Sequence, residues 1–163
     1  MSIQKPLGGL VMSNVLNLGD EAPDFEAETY SGESIKLSDV YKKGVVALYF
    51  YPKDNTPGCT KEACSIRDGM DDLKSNGIQV LGVSTDGVKA HENFRNKYDL
   101  NFPLLSDKSK DIINLYGVVS AFGSAKRETF LINKDGEIVF IWTKVNTKRH
   151  AEEILDKVKA LEI

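Results

Sequence analysis

Two cysteines, two histidines and one tryptophan are all that the 163 residues hold of these types, and each scarcity excludes something. Two cysteines are too few to staple a fold, and a chain long enough to bury a core of this size needs no staple. They are present for chemistry or as core filling. Two cysteines and two distant histidines also lack the paired spacing of a structural zinc site, so no metal is expected. The longest apolar run that matters, residues 45–51 (VVALYFY), falls far short of the roughly 18 to 20 residues a membrane helix requires, and it reads as a buried strand. The opening residues 1–11 are too short and too Gly-broken in their apolar stretch for a signal peptide. A cytoplasmic protein with no membrane partner is therefore expected. Charge of one sign is not in excess either: 21 basic against 24 acidic residues leave a net charge of −3, which gives no reason to expect a nucleic-acid partner.

What is present predicts one globular domain over residues 15–163, with 41% hydrophobic and 28% charged residues and no internal repeat or linker. Residues 1–14 are Gly-rich and aperiodic and are expected to form a disordered extension, with Met12 as an alternative start. Phe25, Ala27 and Thr29 alternate with acidic residues, and Ile35 and Leu37 resume the pattern after Ser31 and Gly32, which predicts an N-terminal hairpin. A helical turn capped by Ser38 or Asp39 follows, and then the strand over 45–51. Ala63, Ile66, Met70 and Leu73 mark a helix over 60–76, stopped by Asn76 and Gly77. Residues 78–84 read as a second buried strand, followed by a helix with Val88, His91, Phe94 and Tyr98 on one face. A brief helix over 108–116 and a Gly/Ser-punctuated loop over 117–126 lead to a hairpin, 128–132 with 138–142, turned at Asp135 and Gly136. A last helix begins near Thr147 with a core stripe of Ala151, Ile154, Leu155, Val158 and Leu161. This order predicts a three-layer α/β/α sandwich with a mixed central sheet, a thioredoxin-like fold extended by an N-terminal β-hairpin.

The most informative stretch is residues 52–60, PKDNTPGCT, where the central strand passes into the first long helix. Thr56 suits the N-cap, Pro57 suits the first helical position, where no amide hydrogen is needed, and Gly58 allows close approach. Cys59 then lies in the first turn, where free backbone N–H groups and the helix dipole favour an anion such as a thiolate. The dipole is worth only about 0.3 to 1 kcal/mol, so a cation must assist. Neither His91, in mid-helix, nor His150, far along the chain, is well placed for this, which makes a Cys/His hydrolase the weaker reading. Arg127 is the better cation, because strand ends and helix N-termini gather on one edge of an α/β sheet. Cys64 stands five residues after Cys59. A regular helix would separate the two by about 140° and about 7.5 Å of rise, so bonding them requires the helix start to unwind. Taken singly, Cys64 beside Ala63 is ordinary core filling, Arg127 a solvated strand-end charge and Thr56 a simple cap.

Residues 52–68 (PKDNTPGCTKEACSIRD) closely resemble the active-site segment of peroxiredoxins of the bacterioferritin-comigratory, or Q, subfamily in the AhpC/TSA superfamily. The similarity runs from Gly19 through residues 82–86 (GVSTD), 102–107 (FPLLSD) and 127–132 (RETFLI) to 150–153 (HAEE). The resemblance implies a thiol-dependent peroxidase that reduces hydrogen peroxide and organic hydroperoxides without a cofactor. It implies that Cys59 is the peroxidatic cysteine, which becomes a sulfenic acid, and that Cys64 resolves it as an intramolecular disulfide. It further implies that Thr56 contacts peroxide and sulfur, Pro52 shields the pocket, and Arg127 polarises the site. The disulfide would be reduced by a thioredoxin-like or glutaredoxin-like donor, and a monomer is expected. The loop over 118–126 departs from the family pattern, being shorter and Ser/Gly-containing where many relatives are Met- or aromatic-rich. Two other readings compete. A thioredoxin-class thiol-disulfide oxidoreductase would carry Cys-x-x-Cys, whereas four residues separate the cysteines here. A noncatalytic scaffold would show slow, unselective thiol reactivity.

Overall fold

A computed structural model describes residues 15–163; the expected extension over 1–14 lies outside them. The hairpin of β1 (Glu26–Glu28) and β2 (Ser34–Lys36) leads into a short helix, α1 (Leu37–Tyr41). Then come β3 (Val45–Phe50), α2 (Pro57–Ser75), β4 (Ile78–Ser84), α3 (Val88–Tyr98), β5 (Leu104–Ser106) and α4 (Asp111–Leu115). The chain closes with β6 (Glu128–Ile132), β7 (Ile138–Trp142) and α5 (His150–Leu161). The seven strands form one sheet in the order β2-β1-β5-β4-β3-β6-β7. β3, β4 and β5 are mutually parallel, while β6 runs antiparallel to β3 and β1 antiparallel to β5.

Alternation along β3 explains the layers, because successive side chains of a strand face opposite sides. Val45, Ala47, Tyr49 and Tyr51 join one core with α2, α3 and α5; Val46, Leu48 and Phe50 join a second core beneath α1 and α4. Burial on both faces is what makes residues 45–51 continuously apolar. The expected α/β/α sandwich with a mixed sheet is therefore the observed architecture.

Local details differ from expectation. Neither Ser38 nor Asp39 caps α1; the Asp24 carboxylate accepts the Ser38 N–H from a distant turn. The 108–116 helix contracts to Asp111–Leu115, because the Asp107 side chain accepts the N–H groups of Ile112 and Ile113 and fixes the start there. α5 begins at His150 rather than near Thr147, and Leu161, placed in its core stripe, is exposed in the last turn. Residues 104–106 prove to be a parallel strand, too short for a periodic signature in sequence.

Two registers position the site. Phe50 pairs with Glu128, so Arg127 emerges beside the loop that joins β3 to α2. α2 and α5 cross at Gly69, where an added Cβ would lie 2.5 Å from the Cβ of Ala151. Gly69→Ala is therefore expected to push α5 outward and lower stability by about 1 to 3 kcal/mol, the cost of overpacking, measured by urea unfolding of the reduced protein.

Candidate active site

α2 starts where sequence reasoning put it, with Thr56 in an extended conformation at the N-cap position and Pro57 first in the helix. The Thr56 hydroxyl does not cap the helix, however. It donates backward to the Lys53 carbonyl at 2.9 Å, which leaves its lone pairs free to accept a proton from a ligand. Cys59 is 1% exposed, and the Arg127 guanidinium donates to its sulfur, Nη2 to Sγ 3.4 Å. Gly58 makes this approach possible, since a Cβ there would lie 2.9 Å from Nη2. Both cysteines are free, Cys64 half-buried, and α2 runs unbroken through both. Pro52 is half-buried in the loop before α2. Pro52, Thr56 and Cys59 thus lie at the β3–α2 junction, which Arg127 reaches from the residue ahead of β6, while Cys64 lies farther along α2.

The structure adds partners that sequence reasoning missed. Glu62 is fully buried and pairs with the other arm of Arg127, Oε1 to Nη1 2.7 Å. Its place three residues after Cys59 and four before Ile66 puts it on the inward face, so a charged residue within the apolar stripe was the available signal. Burial pushes the Glu62 carboxyl up from 4.5 to about 7, against the opposing charge and hydrogen bond of Arg127. Burial works against the Arg127 charge as well, but Glu62 and Cys59 outweigh it and hold the guanidinium above its ordinary value. His150 lies 3.9 Å from Glu62 Oε2. Burial lowers its pKa despite the hydrogen bond to Glu153. Neutral His150 thus donates through Nδ1 to Glu153 at 2.8 Å and accepts the Thr129 hydroxyl at Nε2, also 2.8 Å.

A second buried network holds the loop ahead of Cys59. The Asp54 carboxylate accepts the Tyr51 hydroxyl at 2.6 Å and meets His91 Nδ1 at 2.7 Å, while His91 Nε2 faces the Leu105 carbonyl at 3.0 Å. The Asp54 N–H donates to Asp86, which also accepts from Ser84. Asn55, in the left-handed region at φ 63°, accepts from the Tyr98 hydroxyl of α3. Asp54, Asp86 and His91 bring three possible metal-ligand atoms within 4.8 Å of one another, yet each residue is already committed to direct hydrogen bonds. This cluster reads as a latch between loop and α3. Neither histidine is a hydrogen-bond partner of Cys59 among the described residues, in keeping with the low weight given to a Cys/His hydrolase.

A cysteine in the first turn of a helix, backed by an arginine and set in a thioredoxin-like sandwich, defines a cysteine-dependent oxidoreductase. The AhpC/TSA family model matches residues 18–141. Peroxiredoxin Bcp of Bacillus subtilis is 40% identical over 151 residues, 88% of this chain and 96% of that protein. A crystal structure of a cysteine-to-serine mutant of Xylella fastidiosa peroxiredoxin Q superimposes with a TM-score of 0.84 at 33% identity, covering 91% of this chain and 98% of that one. The Xanthomonas campestris bacterioferritin comigratory protein, whose structures concern alkyl peroxide reduction, gives 0.79 at 32% identity over 85% of this chain and 92% of its own. The chain belongs to the AhpC/TSA family and, within it, to the Bcp/Q peroxiredoxins, which are thiol-dependent peroxidases.

Two outcomes follow from the buried groups. Between pH 4.5 and about 7 folded Glu62 keeps a proton that the unfolded chain has lost. Its contribution to stability is therefore full at low pH and declines as pH rises through that window. Glu62→Gln is expected to flatten that part of a stability-against-pH curve measured in urea. His91→Ala, which leaves the buried Asp54 carboxylate with the Tyr51 hydroxyl but without its imidazole partner, is expected to cost about 1 to 3 kcal/mol in the same assay.

Proposed function

We propose that Cys59 is the peroxidatic cysteine and that the observation carrying this reading is its sulfur held by Arg127 at the start of α2. The Cys59 thiolate attacks the terminal oxygen of a hydroperoxide. The S–O bond forms as the O–O bond breaks, giving a sulfenic acid and an alkoxide or hydroxide that leaves as alcohol or water after taking a proton from solvent. Thr56, its own hydroxyl committed to Lys53, accepts the peroxide O–H, and Arg127 stabilises the charge that builds on the peroxide oxygens. Pro52 shields the pocket from water.

Cys64 then attacks the sulfenic sulfur, releasing water and leaving an intramolecular disulfide. An unbroken helix separates the two residues by about 7.5 Å of rise, so this step requires the first turns of α2 to unwind. A thioredoxin-like or glutaredoxin-like dithiol then restores both thiols through a mixed disulfide. The Xanthomonas relative supports organic hydroperoxides as substrates alongside hydrogen peroxide. The working unit is residues 15–163 as a monomer. Among the described residues, the exposed large apolar side chains Val15, Leu18, Phe122, Leu161 and Ile163 come from scattered parts of the sequence. The two free thiols suit the reducing cytoplasm.

One equivalent of hydrogen peroxide added to prereduced protein is expected to remove two thiols rapidly and lower the mass by two hydrogens. Cys59→Ser should abolish the reaction, and Cys64→Ser should divert it to a sulfenic acid. Arg127→Gln should slow it about 10²- to 10³-fold, the cost of losing one oxyanion donor. Reaction no faster than that of a free thiol in solution would sink the peroxidase assignment for Cys59.

A further inference from the structure

Arg127 is one cation serving two buried acids. Its Nη1 meets Glu62 at 2.7 Å and its Nη2 meets Cys59 at 3.4 Å. Glu62 is completely buried, and its Oε2 has no hydrogen-bond partner among the described residues. A buried carboxylate oxygen without a donor is poorly stabilised as an anion, and it is the natural seat for a proton. Among the described residues no second permanently charged cation pairs with Glu62. Glu62 is faced by Arg127 from the residue ahead of β6, by Cys59 from its own helix, by Tyr49 from β3, and by His150 and Glu153 from α5. Burial, with the charge of Glu62 next, holds the Tyr49 phenol neutral, and burial holds His150 neutral. With Cys59 and Glu62 both ionised, two buried anions would share one half-buried guanidinium, a net negative charge that the interior disfavours.

We propose that Cys59 and Glu62 hold a single proton between them across Arg127, so that the thiolate exists while Glu62 is the carboxylic acid. The exchange balances: Cys59–SH with Glu62–COO⁻ becomes Cys59–S⁻ with Glu62–COOH, and with Arg127 the site is neutral on both sides. Glu62 is a positioning residue in this scheme, since it acts on the sulfur through Arg127 and touches no substrate. The upward push on its carboxyl fits this arrangement. The proposal rests on Cys59 being the reactive thiol, but its test reads ionisation rather than turnover and so stands apart from the peroxidase assay.

Thiolate absorbance is followed against pH in Cys64→Ser protein, with the Cys59→Ser/Cys64→Ser protein as the blank that assigns the signal. A shared proton predicts two overlapping steps, because coupled groups titrate as a pair. In Glu62→Gln/Cys64→Ser the upper step is lost, and a single step remains that lies about one pH unit or more below it. A Glu62 that merely holds Arg127 in place predicts the reverse: its loss loosens Arg127 and the thiolate forms at higher pH. That result, or superimposable curves, overturns the proposal. Should Glu62→Gln fail to fold, infrared difference spectra of Cys64→Ser protein before and after alkylation of Cys59 decide. A neutral thioether frees Arg127 for Glu62, so one protonated-carboxyl band should vanish at neutral pH, and an unchanged band refutes the coupling.

Discussion

The Arg127 guanidinium is the interaction on which the site depends. It is half-buried, it sits where β6 leaves the loop, and it divides its donors between a carboxylate and a sulfur, both nearly inaccessible to water. A cation in such a place is tolerable only because two acidic groups face it, and the acidic groups are tolerable only because it faces them. The rest of the architecture reads as what keeps these three groups in register. The Phe50–Glu128 pairing aims Arg127, the α2 start aims Cys59, and the absence of a side chain at Gly58 leaves the gap between them.

Around that centre the fold places two frames with different duties. The Asp54–His91–Tyr51 network and Asn55 tie the loop ahead of Cys59 to α3, while the Ser65 hydroxyl of α2 accepts the Ala151 N–H of α5, in the contact where Glu62 lies beside His150. Tyr51, Asp54 and His91 are buried and hydrogen-bonded to one another, and such a network favours a single arrangement of the loop. The disulfide step proposed for Cys59 and Cys64 asks the first turns of α2 to yield, and Glu62, between the two cysteines, lies within the segment that would have to move. Thr56 fits the same logic: its hydroxyl is tied to Lys53, so unwinding the helix does not cost a side-chain cap.

Much of this was legible in order. The apolar run 45–51, the stripe Ala63, Ile66, Met70 and Leu73, and the Asp135–Gly136 turn each carry a local period or turn chemistry that survives without tertiary context, and all three elements formed as expected. Cys59 was legible because Thr, Pro and Gly before it spell a helix start. What failed locally failed where a distant side chain decides the boundary. Asp24 sets the start of α1, and the Asp107 carboxylate, clamping two amides, sets that of α4.

The sequence alone determined the layer order, the helix that presents Cys59, and Arg127 as the cation, because period, turn residues and strand ends are properties of short segments. Only the tertiary structure decided that Glu62 lies beneath Arg127, that His91 latches Asp54, and that His150 meets Thr129 of β6. The reason is physical. A carboxylate or imidazole on a helix reads as a surface group unless its partner is known. These partners lie 65 residues from Glu62 and 37 from His91 along the chain, brought within hydrogen-bond reach only by the register of the sheet and the packing of helices upon it.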